Sequence, residues 1–320
     1  GFIIKNYILV NLKSMPTQLK SFVLSETVHA LCDNQATIRK TASNYVGKIS
    51  RTESVDVTIE LILKIVNILH ECVQSTDQNA QVLCALDGSL SAIKIICEDA
   101  TQRVYDSSSN SGNSVNLIEK MVPLLLRCFQ HGESNVRLQS IDTLNILFAY
   151  VNCNSSNGNS NSVANNTSSI LQYVEPYLQG LGALGGDPLP TIRYAVCHGI
   201  VIITTTDLFG AMLPNIMEFM MIATQDSDDD VSMEACEFWL CLLDHQSDDD
   251  FEKPQVTQQN TNGISILYHY LHRLIPLLIS RMKLDEIKVQ QERENEAAEA
   301  VGEKEVDMKP MHYRSKGVED

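Results

Sequence analysis

Between Tyr194 and Glu252 the chain has no Lys or Arg, while thirteen Asp and Glu stand there, clustered at Asp226, at Asp228 to Asp230 and at Asp248 to Asp250. That one segment supplies most of the formal net charge of -16. So acidic a chain is not expected to take DNA or an anionic membrane as its main partner, and a basic protein fits it better. Aromatic residues are scarce at 6%, with a single Trp, Trp239. No run reaches the roughly 18 apolar residues of a membrane span, and the apolar start Gly1 to Val10 lacks a basic leader and a cleavage site. No membrane insertion is expected. The nine Cys have no paired CxxC spacing, which excludes a zinc ribbon or a regular disulfide framework and reads as buried thiols in a reducing compartment.

What the chain does have is helix, short turn, helix, over and over. Apolar residues at Leu117, Met121, Leu124 and Cys128 make one amphipathic face; after His131-Gly-Glu-Ser134 a second runs through Ile141, Leu144, Phe148 and Val151. The same unit is predicted over 18–32 with 36–49, 58–73 with 79–105, 169–184 with 190–205, and 209–224 with 229–243, with single helices at 2–12 and 264–282. The turn within the unit ends in a β-branched residue and Arg at Ile38-Arg39, Val136-Arg137 and Ile192-Arg193, relaxed to Val231-Ser232. Pro123, Pro176, Pro214 and Pro276 are expected inside the first helix of a unit, bending it. Helix pairs with a spacing of about 40 to 47 residues match the HEAT or armadillo class. The expected fold is therefore all-α: a right-handed α-solenoid of antiparallel helix pairs over residues 1–283. Because the chain starts inside an apolar periodic segment, it reads as a piece of a longer protein.

Two segments interrupt the stack. Asn152 to Ser169 is almost wholly Asn, Ser, Thr and Gly, too polar to pack, and is expected to be a disordered insertion. Residues 284–320 mix carboxylates with Lys and Arg without an apolar stripe, and are expected to form a flexible acidic loop. In the acidic segment, Trp239 is expected to be buried between two repeats, with Val231, Ala235, Phe238 and Leu242 on one packed face and Met233, Cys236, Leu240 and Leu243 on another.

Catalytic signatures are missing. There is no GxxxxGK[ST] and no HExxH. Cys241 and His245 lie four apart and His269 and His272 three apart, yet neither pair has a second pair beside it, so no metal site is expected. Adjacent aspartates also lack the alternating spacing of a calcium loop. Neither an enzyme nor a bound cofactor is expected.

Four stretches, in order along the chain, carry a resemblance: Gly1-Phe-Ile-Ile-Lys-Asn6, Ala92-Ile-Lys-Ile-Ile-Cys-Glu-Asp99, Thr224-Gln-Asp-Ser-Asp-Asp-Asp-Val-Ser-Met-Glu-Ala-Cys-Glu-Phe-Trp-Leu240, and Asp307-Met-Lys-Pro310 with Arg314-Ser-Lys316. The chain resembles the amino-terminal part of the transportins, the karyopherin beta-2 members of the importin-β family of nuclear import receptors. The resemblance implies HEAT repeats from the end of the second to the start of the eighth. It also implies Ran-GTP as a partner, with Lys5, Asn6, Asp226, Asp228, Asp229, Asp230 and Glu234 as candidate contacts. Asp307, Lys309, Pro310, Arg314, Ser315 and Lys316 are the implied coupling residues of the acidic loop. Cargo with proline-tyrosine localisation signals, whose main site is outside this stretch, Phe-Gly nucleoporins, a monomeric state and residence in cytoplasm, nucleus and nuclear pore are implied as well. A HEAT scaffold of another sort, such as the structural subunit of a phosphatase, is the alternative.

Overall fold

Short polar side chains set where helices begin. Asn116 precedes the helix Leu117–Cys128; its Oδ1 accepts from the Glu119 N–H at 3.3 Å and its Nδ2 donates to the Glu119 carboxylate at 2.7 Å. This reciprocal cap satisfies a first-turn N–H that has no partner inside the helix. Leu117, Ile118, Met121, Val122, Leu124, Leu125 and Cys128 then all sink into the core. The helix closes where the N–H groups of Phe129, Gln130 and His131 donate to the carbonyls of Leu126, Arg127 and Cys128.

This computed structural model describes residues 14–75, 79–106, 116–155, 169–204, 209, 212–250, 261–281 and 293, with side chains left aside at 152–155, 244–250 and 261–266. The described residues contain no strand, and their longer helices are α1 (Thr17–Ala30), α2 (Ala36–Thr52), α3 (Val55–Gln74), α4 (Ala80–Asp106), α5 (Leu117–Cys128), α6 (Ser134–Ser155), α7 (Val174–Leu184), α8 (Pro190–Thr204), α9 (Leu213–Ala223), α10 (Asp229–Asp250) and α11 (Thr261–Arg281). They fall into two compact units, Gly1–Ile266 and Leu267–Asp320.

In the first unit α1 to α10 form helix pairs. The second helices α2, α4, α6, α8 and α10 pack side by side in one layer; α1, α3, α5 and α7 do so in the other, and α9 packs on α8 and α10. The fold is an all-α stack of HEAT or armadillo-type repeats. Each pair buries its apolar stripe on its own partner and on the neighbouring pair, so the core is continuous along the stack. Its largest fully buried side chains include Tyr105, Phe148, Tyr177 and Phe238. Tyr105 stacks on Tyr150 at 5.0 Å and donates its hydroxyl to the Leu147 carbonyl at 2.8 Å, while Phe148 stacks on Tyr177 at 4.5 Å. The Tyr177 hydroxyl in turn donates to Asn145. In the second unit, the described part of α11 buries Leu267 and Leu274 and exposes Tyr268, Ile275 and Ile279.

Several expectations change on contact with the fold. Asn152 to Ser155 continue α6, because a helix already eighteen residues long extends into polar sequence at little cost; 156–168 lie outside the described residues. The helix at 2–12, Lys5, Asn6, and the loop residues Asp307, Lys309, Pro310, Arg314, Ser315 and Lys316 lie outside them too. The helix expected from Ser169 is interrupted: residues 169–171 are helical, a turn at 172–173 follows with Tyr173 N–H donating to Ile170 O, and α7 begins at Val174. Pro176 and Pro214 consequently fall in first turns, where a missing N–H costs nothing, and only Pro123 and Pro276 are interior to their helices.

Helix α4 is long and apolar enough, by composition, to cross a membrane. Its apolar residues Leu86, Leu90, Ile93, Ile96 and Val104 are instead buried where α4 packs on α2, α3 and α6. It bends at Ala100 (φ -144°, ψ 33°), beside the Thr101 hydroxyl that donates back to the Cys97 carbonyl. Beyond the bend, Arg103 spreads its guanidinium over the carbonyls of Ser50, Arg51 and Glu53, closing the end of α2 from the next pair.

Candidate partner-binding surface

The turn arginines are joints between repeats. Arg39 donates to Asp87, Arg137 to Asp187 and Arg193 to Asp226, with Nε contacts of 2.9, 2.9 and 2.7 Å, each carboxylate belonging to the following pair. Each arginine also uses a second nitrogen to hold two carbonyls of its own turn: Asp33 and Asn34, His131 and Gly132, Asp187 and Pro188. A guanidinium has enough donors in one plane to do both. The aspartates close Asx turns, since Asp33, Asp187 and Asp226 accept from the N–H two residues on at 2.7, 3.0 and 2.9 Å. Asp33, Asp187 and Asp226 each stand six residues before Arg39, Arg193 and Ser232. The Asp-x5-Arg spacing at Asp33–Arg39 and Asp187–Arg193 was visible in the sequence and marks Asp187 as a turn acceptor, but the acceptor Asp87, inside α4, lies outside any such pattern.

At α9–α10 the joint meets the acidic segment, and it sorts the five carboxylates proposed from sequence that are described. Asp226 is held by Arg193 through both oxygens, at 2.7 and 2.8 Å, with only 13% of its side chain exposed. That pairing holds its carboxyl below the usual range, and raises the Arg193 guanidinium in return. Glu234 lies 2.7 Å from His198 Nδ1 on α8. Above it, the Tyr194 hydroxyl is pushed up to about 12, first by burial and then by Glu234. Both carboxylates thus face the preceding repeat. Asp228 accepts from the Val231 N–H at 3.2 Å, capping α10. Asp229 and Asp230 are exposed. The outward acid is Asp229 and Asp230, with Asp228 half-buried beside them, at a helix N-terminus whose own dipole stabilises negative charge. At Ser232, in place of the next arginine, the hydroxyl donates to the Thr224 carbonyl at 2.8 Å.

Behind the turn, Trp239 is 3% exposed, its Nε1 donating to Thr224 Oγ1 at 3.1 Å and its ring edge-on to Phe238 at 4.9 Å. Its burial is as expected, but the described contacts are within the α9/α10 pair. Only the face with Val231, Ala235, Phe238 and Leu242 is packed; Met233, Leu240 and Leu243 are exposed, so the second apolar face is uncovered among the described residues. Next to the turn, a cleft of about 690 Å³ opens between the α7–α8 and α9–α10 turns, lined by Gly185, Pro188, Phe219, Ile222 and Val231, with Arg193 and Asp226 at its polar side.

Gly180-Leu-Gly182-Ala-Leu-Gly185 has the GxGxxG spacing of a dinucleotide-binding turn. It lies in the last turns of α7 and the residue beyond, not between a strand and a helix start, and its glycines admit Phe129 at Gly180 and Phe219 at Gly185. Close packing accounts for it. Among the described residues, no three His, Cys, Asp or Glu side chains gather as metal ligands.

No family model matches the chain. Over 99% of its length it is 26% identical to transportin-1 of Mus musculus, covering 31% of that protein, and 24% identical to importin subunit beta-2 of Schizosaccharomyces pombe, covering 30%. It is also 24% identical to a transportin of Dictyostelium discoideum over 88% of this chain and 26% of that one. The chain thus spans about a third of the length of these relatives. Among solved structures, a computationally designed armadillo repeat protein aligns at 13% identity over 73% of this chain and 98% of its own, with a TM-score of 0.45.

Proposed function

We propose that this transportin-like chain is part of a nuclear import receptor of the karyopherin type, and that it supplies a surface for Ran-GTP. The observation that carries the reading is similarity to transportins along 99% of the chain. The outward acidic turn at Asp228, Asp229 and Asp230 supports it, as a fixed negative surface suited to a basic partner. Asp226 and Glu234, turned inward, shape that surface rather than touch the partner. Lys5 and Asn6 are proposed as contacts at the other end of the stack, and Asp307, Lys309, Pro310, Arg314, Ser315 and Lys316 as the segment that couples Ran-GTP to cargo release. Cargo with proline-tyrosine signals binds mainly beyond this stretch. The cleft at Phe219 and Ile222 is proposed to take Phe-Gly nucleoporin segments, and the receptor moves between cytoplasm and nucleus through the pore without catalysis of its own.

Exposed ion pairs contribute only about 0.2 to 1 kcal/mol each and are screened by salt, so the acidic turn should act chiefly on encounter. Changing Asp228, Asp229 and Asp230 together to Asn in the intact protein should slow Ran-GTP association about threefold or more at low salt, and change dissociation less. Stopped-flow association that is identical for the triple variant and the parent would reduce the turn to a solvated surface.

A further inference from the structure

We infer that Arg193 is a positioning residue for the acidic turn: from the preceding repeat it fixes the direction in which Asp228, Asp229 and Asp230 meet a basic partner. This rests on the reading of that turn as a partner surface. Arg193 Nε and a terminal nitrogen hold the two oxygens of Asp226 at 2.7 and 2.8 Å, and another nitrogen holds the carbonyls of Asp187 and Pro188 at 2.9 and 3.3 Å. The same Asp226 Oδ1 that receives the arginine also receives the Asp228 N–H at 2.9 Å. Asp228 then caps α10 through the Val231 N–H. One guanidinium therefore ties the start of α8, the turn before it and the start of α10 into a single hydrogen-bonded unit, and the outward carboxylates leave from that unit.

The arginine is unsuited to contact a basic partner itself, since its side chain is 16% exposed and cationic. Its role is separable from its charge because the two act with opposite sign. Removing a cation makes the surface more negative, and by field alone a basic partner should then associate faster. Loss of positioning should make it associate more slowly. Lys in place of Arg leaves net charge unchanged, yet one ammonium cannot span both oxygens of Asp226 and two carbonyls at once.

Arg193→Gln and Arg193→Lys in the intact protein should each slow association with Ran loaded with a non-hydrolysable GTP analogue by about threefold at low salt, with helix content unchanged. In the background of Asp228, Asp229 and Asp230 all changed to Asn, Arg193→Lys should have no further effect, because nothing remains to be aimed. Association as fast as the parent's in Arg193→Lys, or a slowing that persists undiminished in the triple-Asn background, overturns the positioning role. If the triple-Asn protein itself associates like the parent, the acidic turn is not the surface, and both readings fall. If the triple-Asn protein slows and Arg193→Lys does not, only the positioning role falls.

Discussion

At the scale of single residues, charge inside the stack is paired before any of it is offered outward. The Arg193–Asp226 pair has a testable pH signature. The native carboxyl of Asp226 is held low, chiefly by hydrogen bonds from Arg193. Its stabilisation is therefore fully present above the unfolded value of about 4 and is lost as pH falls through the depressed native value. Asp226→Asn should cost about 1 to 3 kcal/mol at neutral pH, and the gap to the parent in denaturant titrations should stay constant down to about pH 5 and close below about pH 4. Trp239→Ala should cost roughly 3 to 5 kcal/mol, whereas Trp239→Phe should lose mainly the Thr224 hydrogen bond, about 1 kcal/mol. The parent's Trp emission should be blue-shifted from that of indole in water. Burial pushes the thiols of Cys97 and Cys197 up to about 12 and that of Cys128 up to about 11. Native-state alkylation at neutral pH should therefore spare these three, and half-buried Cys84 and Cys241 should label ahead of them.

Between helices, the decisive contacts are close approaches that no helical pattern announces. Gly88 on α4 is one: a Cβ there would lie 1.9 Å from the Leu31 carbonyl oxygen at the end of α1. Backbone cannot step aside as a flexible side chain can, so Gly88→Ala should destabilise the α1–α4 region by about 1 to 3 kcal/mol or more, measured by thermal unfolding. The helix pairs themselves were legible, because an apolar stripe of period 3.6 is a local property of sequence. Which second stripe would be covered was not. In α10, Met233, Leu240 and Leu243 look as apolar as Val231, Phe238 and Leu242, but only the latter are buried among the described residues.

Across the whole molecule, a stack of repeats behaves as a one-dimensional chain of joints, each coupled mainly to the next. Hydrogen exchange on Gly88→Ala should therefore show lost protection in α1 to α4 and near-parental protection in α9 and α10; uniform loss along the first unit would mean that the joints do not act locally. Charge is also distributed along that unit with a direction. Helix α2 carries Arg39, Lys40, Lys48 and Arg51 with no carboxylate of its own; Asp87 and Asp99 of α4 pair with the two arginines, and Lys40 and Lys48 are exposed, while α10 carries Asp and Glu with no Lys or Arg. A partner approaching at low salt meets opposite fields at the two helices, which favours one orientation over its reverse. Raising the ionic strength should accordingly slow the proposed association with Ran-GTP in the parent more steeply than in the triple-Asn variant.

By itself the sequence determined that this protein is helical, paired and repeating, that its acid is concentrated around α10, and which family it resembles. Each of these depends on neighbours a few residues apart, or on a motif that can be read in order. Tertiary structure alone decided what each acidic residue does. Asp226 and Asp228 are two positions apart and chemically identical, yet one is clasped by Arg193 while the other caps α10 at the surface. The difference lies in an arginine thirty-three residues away, brought beside one of them by the packing of α8 on α10. A carboxylate's role depends on where the nearest cation stands in space, and in a stacked fold that cation comes from the neighbouring repeat.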